Sequence, residues 1–155
     1  MRLVLTESIA APVAVVFHAF TDLAGAPDII QSIQKIEKIG TGPVGKGTRF
    51  RETRIVLGRT STEEMEITAF VPKSSYTVEA VSQGLAYHTT YQFRGEGTRT
   101  VVTMKMTARP VHWKGWFTTP LTWIFAGSMR KMIAQDHADL ARVCEERVRV
   151  AAESA

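Results

Sequence analysis

The sequence predicts one α+β domain in which a curved antiparallel sheet wraps around a long C-terminal helix and encloses an apolar cavity. Two patterns carry this prediction. From Thr48 to Pro110, apolar and polar residues alternate in five successive segments separated by short turn clusters, which is typical of a meander of strands. From about Thr119 the apolar spacing becomes helical over roughly thirty residues. With 155 residues, the chain has the length of one ordinary domain, so we expect residues 1–155 to share a single core.

The N-terminal third combines two strands with two short helices. Ala11 and Pro12 precede an apolar helical run, and proline is favoured where a helix begins. In chain order, the pattern predicts a strand over Arg2–Ile9, a helix over Val13–Phe20, a turn over Thr21–Pro27, a second short helix over Asp28–Ser32 and a strand over Ile33–Ile39. The glycine-rich segment Gly40–Gly47 then connects this region to the meander.

Four turn clusters divide the meander, and the helix that follows has a marked start. The turns are predicted at Leu57–Ser61, Pro72–Ser75, Ser82–Leu85 and Gly95–Thr98. Thr119 followed by Pro120 suits the first positions of the long helix. Within that helix, Gly127 is the expected place for a break or bend.

Short hairpins also predict which residues share a face of the sheet. The predicted pairings are Arg54 with Met65, Val71 with Tyr76, Ser82 with Leu85, and Arg94 with Arg99. One face then collects Phe50, Val56, Met65, Ile67, Tyr76, Val78, Tyr87, Tyr91, Phe93, Val102, Met104 and Met106. The other collects Arg51, Glu64, Glu66, Glu79, His88, Gln92 and Lys105. The first face is therefore predicted to be the inner one.

This inner face also carries polar residues, of which Glu52 and Arg54 are the most informative. A buried charge needs a partner, so Arg54 must be paired, and Glu52 on the same strand face is the expected partner. Two interpretations remain open. Either the pair stabilises the rim of the sheet, or it lines the cavity and orients a ligand, with Arg54 offering its remaining donors to a carboxylate or keto oxygen.

Taken together, several segments resemble the polyketide cyclase/dehydrase branch of the START-like (SRPBCC) superfamily. They are the turn after Phe20, the run APDII, the strand IQKIEKIG, the segment GPVGKGTRFRETR and the strand EEMEITAFVP. The resemblance implies the helix-grip fold, a curved seven-stranded antiparallel sheet around a long C-terminal helix, with two short helices between the first two strands. It also implies a ligand cavity between sheet and helix. Members include aromatic polyketide cyclases, lipid and sterol carriers, ubiquinone-binding proteins and hormone receptors.

The predicted ligand contacts combine the inner face of the sheet with the inward stripe of the helix. His137 lies on this stripe with Ile133, Leu140 and Cys144. The full set is Glu52, Arg54, Met65, Ile67, Val78, Tyr87, Thr89, Tyr91, Met104, Met106, Phe125, Met129, Ile133 and His137. Tyr87, Tyr91 and His137 are the candidates for proton transfer if the protein is an enzyme, although a lone histidine on an apolar stripe is more often a core residue.

The segment from Trp113 to Phe125 contains all three tryptophans. A segment this apolar must pack against another surface. It caps the core, closes over a ligand, forms a homodimer contact or anchors at a membrane interface; the sequence leaves these alternatives open.

Composition narrows the remaining classes of function. The formal net charge is +4, but basic residues are scattered among acidic ones, so we expect no nucleic-acid partner. The single cysteine, Cys144, allows no intramolecular disulfide, and the histidines lack the spacing of metal ligands, so we expect no metal and no cofactor. No signal peptide or stable membrane insertion is predicted, which makes the cytoplasm the expected location.

Two functions follow from this sequence. The first is the binding or carrying of a small hydrophobic ligand, which is lipid-, polyketide- or isoprenoid-like, in the internal cavity. The second is a cyclase or dehydratase acting on a hydrophobic keto substrate in the same cavity. A titratable group with a perturbed pKa beside a second polar group in the cavity would favour the enzyme.

Overall fold

A computed structural model describes residues 1–111 and 119–155, with side chains in the second range from residue 127 onward. Its elements, in chain order, are β1 (Arg2–Ile9), α1 (Val13–Thr21), α2 (Ala26–Ile29), β2 (Ile33–Ile39), β3 (Arg49–Val56), β4 (Arg59–Val71), β5 (Ser75–Ser82), β6 (Leu85–Glu96), β7 (Arg99–Pro110) and α3 (Thr119–Glu153). Across the described ranges, these are the seven strands and three helices that the sequence predicts.

All seven strands form one antiparallel sheet in the order β1-β7-β6-β5-β4-β3-β2. The first two strands of the chain thus lie at opposite edges of the sheet, and α1 and α2 connect them. The meander β3 to β7 fills the space between, because each hairpin places a strand beside its predecessor. The long helix α3 packs against α1 and β1.

Two hairpins turn on pairs of residues with positive φ. Leu57 and Gly58 have φ values of 51° and 75°, and Gln83 and Gly84 have values of 49° and 78°. Positive φ at both central residues defines the two-residue turn that matches the twist of paired strands. The glycine in each pair adopts this conformation without a steric cost.

The predicted register is confirmed for one hairpin and wrong for three. Ser82 pairs with Leu85, as expected. Arg54, however, pairs with Ser61 rather than Met65, because the turn is only Leu57 and Gly58 and lies closer to β3 than predicted. Similarly, Glu96 rather than Arg94 pairs with Arg99. These two errors are shifts of four and two residues, and an even shift leaves each side chain on its predicted face.

The third register error is a local irregularity between β4 and β5. Val71 pairs with Ser75 instead of Tyr76, and the register shifts between Ile67 and Ala69. Beyond this shift, Ile67 pairs with Val78, again an even displacement from the prediction. The shift corresponds to an extra residue in β4. From Ile67 onward, the side chains therefore lie on the faces that the alternation predicts.

The division of the sheet into two faces is therefore confirmed. The residues predicted to face outward, from Arg51 to Lys105, are all exposed. On the inner face, Phe50, Ile67, Tyr76, Phe93, Val102, Met104 and Met106 are buried. These residues form the concave wall that faces α3.

Two helix predictions need correction. The second short helix is Ala26–Ile29 and not Asp28–Ser32; Pro27 stands in its first turn, where the fixed φ of proline favours a helix start. The long helix runs from Thr119 to Glu153 without a break at Gly127, since a single glycine costs a helix only about 1 kcal/mol. None of the helices in the described ranges is long and apolar enough to cross a membrane.

The larger of two core clusters packs α1 against the inner face of β5, β6 and β7. Phe17 of α1 makes edge-to-face contacts with Phe70, Tyr76 and Phe93, at centroid distances of 5.2 to 6.3 Å. Such aromatic pairs add to the stabilisation that comes from area burial. A second, smaller cluster contains Leu3, Met104, Met106 and Ile133. Residues of both clusters line a cavity between the sheet and α3.

Candidate functional site

A cavity of about 680 Å³ lies between the concave face of the sheet and α3. Binding pockets for small molecules usually measure about 300 to 1,000 Å³, so this one has the size of a ligand site. Its wall is mostly apolar and includes three methionines of the sheet, Met65, Met104 and Met106, together with Met129 and Met132 of α3. Methionine side chains adapt to ligands of many shapes.

The structure brings the predicted ligand-contact residues together on this wall. Those that line it are Glu52, Arg54, Met65, Ile67, Val78, Tyr87, Thr89, Tyr91, Met104, Met106, Met129, Ile133 and His137. Phe125, the remaining one, lies outside the described side chains, as does the rest of the segment from Trp113 to Phe125. The inner-face prediction thus located the cavity wall even where the register was wrong.

An ion cluster around Arg54 forms the polar part of the wall. Arg54 Nε donates to Glu52 Oε1 at 2.5 Å, and Arg54 Nη1 donates to Asp136 Oδ2 at 2.9 Å. Asp136 Oδ1 accepts a hydrogen bond from Ser32 Oγ at 2.7 Å. The side chains of Arg54, Glu52 and Asp136 are each at most 15% exposed. The cluster joins β3, α3 and the loop before β2.

For Arg54, the attraction of two carboxylates outweighs the effect of burial on its pKa. Burial alone would lower the pKa of Arg54, but the carboxylates of Glu52 and Asp136 raise the pKa above its usual range. A guanidinium between two carboxylates keeps its proton, and its planar fork suits hydrogen bonds to both. Arg54 is therefore a permanent cation, and by formal charge the two carboxylates exceed the guanidinium by one.

The expected Glu52–Arg54 pair is present, but it is only part of the cluster. Asp136 is not among the predicted site residues, although it stands three residues after Ile133 and four before Leu140 on the inward stripe of α3. That spacing, which places residues on one face of a helix, is the signal that could have found it. What the sequence does not reveal is that this face meets Arg54.

A second carboxylate lies across the strand pair from Glu52. Glu63 on β4 is directly opposite Glu52 on β3, and both line the cavity. Glu63 Oε1 accepts a hydrogen bond from Ser61 Oγ at 2.7 Å. Glu63 was also missed, because the predicted register moved β4 by four residues and placed Ile67 opposite Glu52.

His137 occupies the cavity wall without any hydrogen bond to the described residues. It is 4% exposed, and neither ring nitrogen has a partner among them. Its Nδ1 lies 3.7 Å from Glu7 Oε2, which is beyond hydrogen-bond distance. The ring packs edge-on against Phe20 at 5.3 Å and lies 5.9 Å from the ring of Tyr91. Glu7 alternates with Leu5 and Ile9 on the inner face of β1, a signal that the sequence analysis did not use.

The three tyrosines of the wall differ in what they can do. Tyr76 donates its hydroxyl to the backbone oxygen of Phe20 at 3.2 Å and stacks on Tyr91, with ring centroids 4.7 Å apart. Burial raises the pKa of Tyr76 and of Tyr91 well above the usual tyrosine value. Burial and the charge of Glu63 also raise the pKa of Tyr87. At neutral pH all three are therefore neutral hydroxyl donors.

Nucleophilic and metal chemistry gain no support from the described residues. Cys144 is fully buried, and this burial raises the pKa of its thiol to about 11, which disfavours the reactive thiolate. In residues 1–111 and the described side chains of α3, no group of three histidine, cysteine, aspartate or glutamate side chains is arranged to hold a metal ion. The expectation of no metal remains a prediction.

An open recess of about 540 Å³ adjoins the cavity between the β3–β4 hairpin and α3. Val56, Leu57, Met129, Met132 and Asp136 line both spaces. The recess therefore borders the ion cluster as well as the methionines. Leu57 at the hairpin tip is 63% exposed.

Comparison with known proteins identifies this architecture. The family model described as "Polyketide cyclase / dehydrase and lipid transport" matches residues 2–145. No match to a curated protein was found.

Solved structures agree over nearly the whole chain. The Zhui aromatase/cyclase from Streptomyces sp. R1128 is 18% identical, with a TM-score of 0.77 and coverage of 97% of both chains. TTHA0849 from Thermus thermophilus is 21% identical, with a TM-score of 0.74 and coverage of 97% of this chain and 99% of that one. A START superfamily protein from Mycobacterium smegmatis is 12% identical, with a TM-score of 0.72 and coverage of 96% and 97%. At these identities the likeness concerns the fold, and it confirms the predicted helix-grip architecture.

Proposed function

Because the chain belongs to the polyketide cyclase / dehydrase and lipid transport family, we propose that it binds and carries a small hydrophobic ligand in the cavity between sheet and α3. The observation that carries this proposal is the cavity itself, with its volume of about 680 Å³ and its mainly apolar wall. Apolar surface left unfilled inside a protein gives up the dispersion contacts of a packed core. A hydrophobic ligand restores these contacts.

The wall chemistry supports a ligand of lipid-, polyketide- or isoprenoid-like character. Five methionines line the cavity, three on the sheet and two on the described part of α3, and their flexible side chains fit an irregular aliphatic or ring-containing body. The wall also carries polar groups, among them the hydrogen-bonded cluster of Glu52, Arg54 and Asp136. Polar groups placed in a mainly apolar wall are typical of sites that orient a ligand.

The recess beside the cavity supports a route of access for the ligand. It lies between Ile55–Gly58 of the β3–β4 hairpin and Ser128–Asp136 of α3. Residues shared by the two spaces include Leu57 and Met132. We propose that the ligand enters here, beside the ion cluster that Asp136 forms with Arg54.

A pair of neighbouring substitutions tests whether the ligand occupies this cavity. Ala80 lines the cavity, whereas Val81 points outward and is 66% exposed. We expect Ala80→Trp to fill part of the cavity and to abolish binding, while Val81→Trp leaves binding intact. Native mass spectrometry of the freshly purified proteins, together with titration of an apolar fluorescent probe, measures this.

The controls for this experiment are direct. Circular dichroism checks that both variants fold. A co-purified small molecule or bound probe in the wild type and in Val81→Trp, but not in Ala80→Trp, supports the proposal. Equal binding to all three proteins, or no binding to any, contradicts it.

A second candidate is an enzyme of the cyclase or dehydratase type that uses the same cavity. The observation in its favour is the proximity of Tyr91 and His137, whose ring centroids are 5.9 Å apart on the cavity wall. Tyr87 would be a third proton donor. Two observations weigh against it: the raised pKa of Tyr91 opposes ionisation, and the ring nitrogens of His137 have almost no accessible surface. We therefore rank ligand binding first.

A further inference from the structure

The charge of the cavity wall adds a constraint on the ligand beyond its hydrophobicity. One guanidinium, that of Arg54, lies between the carboxylates of Glu52 and Asp136. Both oxygens of Asp136 are occupied, by Arg54 and by Ser32. Glu52 is only 7% exposed, and its Oε2 accepts no hydrogen bond from the described side chains. This cluster of three side chains thus contains two carboxylates and one guanidinium, so its formal charges leave an excess of one negative charge.

Glu63 adds a second negative charge at the same place. It lies directly opposite Glu52 across the β3–β4 pair, and like charges in this position destabilise a sheet. Within the described part of the chain, Glu63 forms no salt bridge; its hydrogen-bond partner there is the hydroxyl of Ser61. The strand pair therefore presents two adjacent carboxylates to the cavity.

The rest of the wall that the structure describes does not compensate for this charge. Its described charged groups are four carboxylates and two guanidinium groups: Asp22, Glu52, Glu63, Asp136, Arg54 and Arg59. By formal charge, the described wall thus has two more carboxylates than guanidinium groups, and two of the carboxylates, Glu52 and Glu63, are adjacent.

We infer that the ligand is a cationic amphiphile, with an apolar body among the methionines and a protonated amine near Glu52 and Glu63. This inference rests on the proposed function and names the polar group that the same cavity selects. An anionic ligand would approach two carboxylates and a guanidinium that is already neutralised. A protonated amine supplies both the missing charge and hydrogen-bond donors for the carboxylate oxygens.

The overall charge of the protein helps to distinguish binding inside the cavity from non-specific electrostatic attraction. The formal net charge is +4, so long-range electrostatics favour an anion over a cation. A preference for a cationic ligand has to arise inside the cavity. Ligand charge can therefore be tested directly with the full chain.

The test compares three ligands with the same alkyl chain: dodecylamine, dodecanol and dodecanoic acid. Each is titrated against the protein at neutral pH, below its micellar range, by displacement of an apolar fluorescent probe. We expect the amine to bind at least about tenfold more tightly than the carboxylate, which is about 1.4 kcal/mol, with the alcohol between them. We expect Glu63→Gln to reduce the preference for the amine severalfold.

A matched variant controls for net charge. Glu66 is on the same strand as Glu63 but is exposed on the outer face, so Glu66→Gln makes the same change in charge away from the cavity. It should leave the preference unchanged. Glu52→Gln is a second test inside the cavity, with circular dichroism to check folding.

Each outcome bears on one proposal. If the alcohol binds and the carboxylate binds as tightly as the amine, the inference about charge is overturned and the proposed function stands. An equal loss of amine preference in Glu63→Gln and Glu66→Gln overturns it as well. If none of the three ligands displaces the probe, and the probe binds Ala80→Trp as well as wild type, the proposed function itself fails.

Discussion

Asp136 and His137 are neighbours on α3, are both more than nine-tenths buried, and are in opposite hydrogen-bonding states. Both oxygens of Asp136 accept hydrogen bonds, from Ser32 and Arg54. Neither nitrogen of His137 has a hydrogen-bond partner in the part of the chain that the structure describes, although Glu7 Oε2 lies 3.7 Å from Nδ1. The hydrogen-bonding capacity of Asp136 is thus satisfied and that of His137 is not. Burial by itself does not determine what a polar group costs; its partners do.

The largest loss of stability should come from removing the cation of Arg54. Arg54→Leu leaves the carboxylates of Glu52 and Asp136 buried without a counter-charge, and losing one partner of a buried ion pair typically costs about 3 to 5 kcal/mol. Urea unfolding measures the change in the free energy of unfolding. As a control, Arg51→Leu removes an exposed cation from the same strand and should cost under about 1 kcal/mol. Equal losses would contradict the structural role of the Arg54 cluster.

A smaller loss is expected from Asp136→Asn. The amide keeps an oxygen for Ser32 but removes the charge that faces Arg54, so we expect a cost of about 1 to 3 kcal/mol. Asp139→Asn is the matched control: Asp139 is also buried on the same helix, but its partners are Gln31 N and Gln135 Nε2. Unfolding curves of the two variants should differ, with Asp139→Asn closer to wild type. The reverse order would show that Asp136 does not hold Arg54.

Replacing His137 should increase stability, whereas replacing Arg54 or Asp136 should reduce it. His137→Leu replaces two nitrogens that lack described partners by an apolar side chain of similar size, and removing an unsatisfied polar group relieves its desolvation cost. We expect the free energy of unfolding to rise by up to about 1 kcal/mol, less any loss of ring contacts with Phe20 and Tyr91. Thermal and urea unfolding both measure this. A loss of more than about 2 kcal/mol would mean that His137 has a partner, and the contrast with Asp136 would fail.

Cys144 extends the comparison to a third inward group on α3, and its titration should affect stability only at alkaline pH. Its pKa is raised from 9.0 to about 11 by burial, so between these values the folded state holds a proton that the unfolded state releases. Stability should therefore fall as pH rises through this window. The free energy of unfolding is measured as a function of pH for wild type and for Cys144→Ala. The difference between the two profiles gives the contribution of the Cys144 thiol. Parallel profiles would show that the thiol titrates normally.

Much of the fold was predictable because it depends on local patterns. The alternation in β3 to β7 and the helical spacing of α3 are repeated many times, so single errors do not change the result. The predicted face was correct in the β3–β4 and β6–β7 hairpins because their register errors were even, and in the β4–β5 pair from Ile67 onward because the local shift there restores an even displacement. The boundaries of α2 depended on Pro27 alone and were wrong by two to three residues.

The candidate site was predictable only in part. Glu52 and Arg54 are two residues apart on one strand, so their pairing follows from the strand itself. Asp136 is 82 residues from Arg54 in the chain. Glu63 lies opposite Glu52 in the observed β3–β4 register but not in the predicted one. The charge of the cluster, which decides what ligand it selects, depends on these two residues.

The sequence by itself determined the order of elements, the inner face of the sheet and the inward stripe of α3, because alternation and helical spacing are properties of neighbouring residues. Only the tertiary structure decided that Asp136 meets Arg54 while His137 meets Phe20 and Tyr91. Adjacent residues on a helix differ by about 100° in direction, so the rotation of α3 against the sheet selects their partners. That rotation is set by the packing of the whole core, and no local pattern specifies it.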